Sequence, residues 1–144
     1  MVTEAVRVPG RALAIVAGVI AFATTVLYLV LISSEDEADT GVVAIVTAVL
    51  VILGVAALAA GLVAGWDART RLIVLGAATG GLLAAGVLGI FSIGLPLIVA
   101  AVCCLFAWGR VASAVRPVPS GAPLLSAVAG VVTGAVAVVA ILAG

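Results

Sequence analysis

Two groups of side chains in this sequence could ligate a metal or act as nucleophiles. Cys103 and Cys104 are adjacent, and Glu35, Asp36, Glu37 and Asp39 crowd together in one short segment. Carboxylates so close to one another suit a hard divalent cation, which takes several oxygen ligands. The spacing, however, is not that of an EF-hand loop, which needs a glycine at its sixth position and a glutamate at its twelfth. The segment reads as a solvated acidic loop. Neighbouring cysteines on a helix point about 100° apart and cannot easily share one tetrahedral metal site. The chain has no histidine and no third cysteine to complete such a site. Both thiols fall inside an apolar run, where cysteine behaves as a small hydrophobe. The missing histidine also removes His-ligated haem and most proton relays built on imidazole.

Asp67, Arg69 and Arg71 form a third polar group. The arginines could meet anionic lipid headgroups, or pair with Asp67, but two arginines fall well short of a polybasic lipid-binding segment. The reading adopted is a local charge pair that marks topology. Ser92-Ile93-Gly94-Leu95-Pro96 could line a pore mouth, and a tight helical hairpin accounts for the same residues. Thr24, Thr25, Thr47, Thr79 and Thr133 are the main polar residues inside the apolar runs, and each hydroxyl can bond its own helix at the i−4 carbonyl. No set of residues assembles a base, a nucleophile and an oxyanion donor. The sequence therefore predicts no catalytic residue, no cofactor, no metal and no enzyme.

The elements carrying these residues are set by hydropathy. The chain is 67% hydrophobic and only 8% charged, with no net charge, and its mean hydropathy is +1.57. A soluble domain is about a quarter charged, so lipid must be the solvent for most of this surface. Zero net charge gives no footing for nucleic acid. Continuous apolar runs, rather than alternating ones, select helices over barrel strands. About 20 apolar residues cross the hydrocarbon core, which divides the chain into an all-α bundle of five spans at about residues 12–32, 41–65, 72–90, 95–111 and 123–143. The first span follows Arg7 and Arg11, is too long for a cleaved leader and lacks a small-x-small site, so it reads as a signal anchor. The apolar stretch 72–113 is twice too long for one crossing and must turn back near Gly94 and Pro96. A re-entrant hairpin is the alternative to two crossings there, and limb length favours two crossings. Residues 33–40 form the acidic loop and 114–122 a Pro/Gly loop, within one membrane domain over 1–144 with no soluble domain expected at its C-terminal end.

Arg7 and Arg11, Arg69 and Arg71, and Arg110 and Arg116 all fall on one side of such a bundle. Positive charge marks the cytoplasmic side, which puts the N-terminus inside and the C-terminus and acidic loop outside. Trp66 and Trp108 near one interface, and Tyr28 near the other, agree with an aromatic belt. Three GxxxG pairs, Gly61/Gly65, Gly76/Gly80 and Gly130/Gly134, are the candidate helix-packing residues. Glycine at i and i+4 opens a groove that lets another backbone approach.

With no ionisable group deep in any span, ion-coupled transport lacks its coupling residue. The expected role is a small accessory, assembly or scaffold protein acting through protein or lipid contacts. Its partners would be the bilayer and either a larger membrane complex or a second copy, and no nucleic acid. A passive transporter or channel subunit for a small or apolar solute is the alternative. All basic residues are arginine, and Lys, Asn and Gln are absent. That bias suits a high-GC bacterial genome, and the expected location is a bacterial plasma membrane.

Overall fold

The computed structural model describes residues 10–34, 40–89, 94–115, 117 and 120–143. They form five α-helices: α1 (Arg11–Ile32), α2 (Thr40–Leu62), α3 (Ala68–Leu88), α4 (Gly94–Ala114) and α5 (Ala122–Ala143). Each is long and apolar enough to span a membrane, and no strand occurs among the described residues. The five-span helical bundle expected from hydropathy is the observed architecture. Helices of 21 to 23 residues extend over ~30 Å at about 1.5 Å per residue, which matches the hydrocarbon core.

The boundaries shift where backbone hydrogen bonding and hydropathy disagree. α2 ends at Leu62, so Gly65 lies in the following turn rather than in the span. α3 begins at Ala68, taking Arg69, Thr70 and Arg71 into its first turns although they interrupt the apolar run. Asp67 is its N-cap. α4 continues to Ala114, carrying Arg110 within it. Polar residues at a helix end cost little, because that end reaches the headgroup layer.

Packing order follows from what each glycine or core side chain meets. Gly61 of α2 faces Ile15 and the Arg11 carbonyl of α1, and Gly54 faces Phe22, so α1 and α2 run antiparallel. Gly86 of α3 meets Ile98 of α4 near the tight connection, where the Gly94 N–H donates to the Gly89 carbonyl at 2.6 Å. α4 returns beside α1, so that Gly10 abuts Ala107. α3 also packs on α2, and α5 lies almost wholly against α3. Along that last contact Gly76 meets Ser126 and Gly80 meets Gly130, so α3 and α5 are parallel. α1, α3 and α5 therefore point one way and α2 and α4 the other. α3 and α4 lie alongside the full-length helices as two complete limbs, which is the two-crossing arrangement.

The middle of the bundle is filled by Leu50, Leu53, Leu82, Leu97 and Cys104 among Ala17, Ala57, Ala78 and Ala100. A second cluster of Ala14, Ala60, Leu72, Leu75, Ala107 and Val111 closes the end where α1, α3 and α5 begin. Burial is uneven: half of the apolar window of α3 is buried inside the protein, against 17% for α5. α5 shows large side chains outward, Val131 at 73% and Leu142 at 72% exposure. Such a surface is ordinary when hydrocarbon is the solvent.

Candidate functional site

The densest convergence of unusual residues is where α3, α4 and α5 meet. Gly76 and Gly80 on α3 face Gly130 and Gly134 on α5 directly. A Cβ placed on Gly76 would lie 2.5 Å from the Ser126 carbonyl oxygen, and one on Gly130 would lie 2.8 Å from that of Gly76. On Gly134 it would lie 3.1 Å from the Gly80 carbonyl, and on Gly80 it would overlap the Gly130 backbone outright. These two candidate pairs are one seam, in which each supplies the groove for the other. Bare Cα atoms set against carbonyls also allow weak Cα–H···O contacts. The third pair is split. Gly61 packs against α1, with Ile15 Cγ1 at 2.9 Å from the ideal Cβ, whereas Gly65 has nothing within 4 Å.

Above the seam, a short polar relay ties α4 to α5. The Trp108 indole N–H donates to Ser126 Oγ at 3.1 Å, and the Ser126 hydroxyl donates to the Pro123 carbonyl at 2.9 Å. Pro123 sits in the first turn of α5, where its missing N–H has no intrahelical role. The carbonyl and the indole satisfy the buried serine from both sides. Beside the relay lies an open cleft of about 340 Å³ lined by Thr79, Leu105, Trp108, Pro123, Ser126 and Val131 together with Gly76, Gly80 and Gly130. The Thr79 hydroxyl is committed to the Leu75 carbonyl at 2.7 Å. The cleft is therefore an apolar recess with a single aromatic N–H at its edge, already donated, and it offers shape rather than chemistry.

A second cleft, of about 230 Å³, lies at the opposite end, where Tyr28, Val46, Leu50, Leu88, Leu97 and Ile141 bring all five helices together. Leu50 and Leu97 are its floor and belong to the buried core.

Charge collects at the end where α1, α3 and α5 begin. Arg11, Arg69 and Arg110 are exposed there, with Trp66 and Trp108 half-buried. Arg71 is different: it is only 7% exposed. Its Nη2 donates to the Val63 carbonyl at 2.8 Å, just past the end of α2. A cation at that point meets the negative end of the α2 dipole and satisfies one carbonyl that the helix leaves free. Its Nε is buried with no hydrogen-bond partner. Asp67, which the sequence reading paired with an arginine, accepts the Thr70 hydroxyl at 2.5 Å instead. That bond, aided by Arg69, holds the Asp67 carboxyl below the ordinary carboxylate range.

The remaining candidates separate. Cys104 is fully buried in the core and Cys103 is half-buried beside it, both as free thiols. Among the described residues, no three His, Cys, Asp or Glu side chains gather as a metal would require. Glu35, Asp36, Glu37 and Asp39, Ser92 and Ile93, Arg7 and Arg116 lie outside the described residues, whereas Gly94, Leu95 and Pro96 form the first turn of α4. Thr24 and Thr25 bond the Ile20 and Ala21 carbonyls at 2.8 Å, whereas the Thr47 hydroxyl is buried without a partner.

Sequence reasoning did not find the buried state of Arg71 or the Trp108–Ser126 relay. The available signal for the first was position: Arg71 stands four before Leu75 and heads a stripe that continues through Ala78 and Leu82, all buried. The second had no local signal, because its two partners lie on different helices.

The chain matches no known protein family, no curated protein and no solved structure.

Proposed function

We propose that this chain is a small multi-span accessory, assembly or scaffold protein, acting through protein or lipid contacts in a larger membrane complex or by self-association, and that it is not an enzyme. The observation that supports this reading is the sealed core. Leu50, Leu53, Leu82 and Leu97 close the bundle axis with alanine packed between them, so the axis is apolar among the described residues. The hydroxyls of Thr24, Thr25 and Thr79 are turned onto their own helices. What remains for function is the outer surface, most of all that of α5. In this reading the arginine-bearing end faces the cytoplasm and the C-terminus lies outside. The compositional bias supports a high-GC bacterium and its plasma membrane.

A passive carrier or channel subunit for a small apolar solute is the second reading. The cleft that all five helices share at the Tyr28 end supports it. Two measurements on protein extracted in mild detergent separate the two readings. Recovery of a stoichiometric partner, or of a defined homo-oligomer, supports the accessory role. Solute flux across liposomes containing only this chain overturns it in favour of the carrier.

A further inference from the structure

Arg71 is the one charged side chain that is buried among the described residues, and its account does not balance. A guanidinium is always charged and presents five N–H donors in a fixed fork. Here one nitrogen reaches the Val63 carbonyl and the buried Nε reaches nothing. A carbonyl offers a dipole but no countercharge, and a buried cation without one is costly. Asp67 is the only carboxylate among the described residues, and the Thr70 hydroxyl already occupies it.

The surroundings indicate what is missing. Arg71 lies in the opening turns of α3, about 5 Å along the helix axis from Ala68 at 1.5 Å per residue, which is headgroup depth for a helix that crosses the membrane. Exposed Arg11, Arg69 and Arg110 surround the same end, where they raise the local concentration of anions. Half-buried Trp66 and Trp108 mark the same interface.

We propose that Arg71 is the buried half of an oxyanion site, and that it receives a phosphate oxygen from an anionic phospholipid headgroup or from free phosphate at the arginine-bearing end of the bundle. The phosphate supplies the missing countercharge and an acceptor for the guanidinium fork. This inference needs the membrane-spanning architecture but not the accessory role.

The test uses the full chain in a non-ionic detergent, with melting temperature followed as phosphatidylglycerol, phosphatidylcholine or inorganic phosphate is added. Phosphatidylglycerol is expected to raise the melting temperature by several degrees and phosphatidylcholine to leave it unchanged. A rise with inorganic phosphate alone supports the site and identifies free phosphate as its source. Arg71→Gln is expected to lose the rise and Arg69→Gln to keep most of it. Should Arg71→Gln fail to fold, Arg71→Lys keeps the charge but loses the fork. Native mass spectrometry should then show several-fold less phosphatidylglycerol retained than on the wild type. Equal responses to all three additives, or an undiminished response in both Arg71 variants, overturns the proposal.

Discussion

The α3–α5 and α1–α2 contacts both rely on glycine, and they use it differently. Between α3 and α5, glycine faces glycine, and the nearest atoms to any added Cβ are backbone atoms of the other helix. Between α1 and α2, glycine faces a side chain: Gly18 receives Leu58, Gly54 the Phe22 ring and Gly61 the Cγ1 of Ile15. The first contact is a backbone seam and the second is knobs set in notches. A side chain can change rotamer to make room, whereas a helix backbone moves only as a whole. The same residue type is therefore far less replaceable in one place than in the other. The difference has a structural consequence, because α1 has α2 and α4 as neighbours whereas α5 depends almost wholly on α3.

The sharpest way to break this comparison is a bulky residue in the backbone seam. Gly80→Leu is expected to prise α5 from α3, at a cost of about 3 kcal/mol or more, read as a large drop in melting temperature in detergent. A single added methyl in the notched contact is milder, whereas the same methyl at Gly80 would already overlap the Gly130 backbone. Gly61→Ala should cost about 2 kcal/mol, since Ile15 Cγ1 at 2.9 Å must shift and the Arg11 carbonyl at 3.1 Å limits the room. Gly65→Ala, which has the same motif position but open space, should lie within about 0.5 kcal/mol of wild type. If Gly61→Ala proved as damaging as Gly80→Leu, the distinction between seam and notch would collapse.

A finer test removes the other fastening of α5. Trp108→Phe keeps the ring but loses the N–H to Ser126, and should cost about 0.6 kcal/mol, the typical worth of a polar contact between membrane helices. The smallest effect concerns the exposed start of α3. The Thr70 hydroxyl bond depresses the folded carboxyl of Asp67, so its contribution is complete above the ordinary carboxylate range and fades as the pH falls through the folded value. The difference between wild type and Asp67→Asn in a pH series of melting temperatures should accordingly shrink in acid.

Most of the fold was legible in the sequence, because hydrocarbon imposes one dominant requirement on span length and composition. The number of helices, the turn-back within the long apolar stretch and the gathering of Arg11, Arg69, Arg71 and Arg110 at one end needed nothing more. Partner choice was not legible. Gly76/Gly80 announces that a groove exists on α3, but nothing local states that Gly130/Gly134 fills it, or that Gly65 faces nothing. In water, a polar outer face reveals which stripe of a helix is buried; in lipid both faces are apolar, and the contrast disappears. Arg71 was obscured for a related reason. An arginine at the edge of an apolar run is usually a topology mark, and only the position of the α2 end over it, with Val63 within reach, makes it a buried cation.

The parallel pairing of α3 and α5, with two complete limbs folded between the ends of the chain, requires an odd number of crossings. A paired reporter fused after Gly144 tests this most directly. Alkaline phosphatase there should be active and a cytoplasmically maturing fluorescent protein dark, placing the C-terminus across the membrane from the arginine-bearing end. A fluorescent fusion with inactive phosphatase would contradict this topology, and a second reporter at the N-terminus then tells an even number of crossings (both ends inside) from an inverted five-span bundle (N-terminus outside).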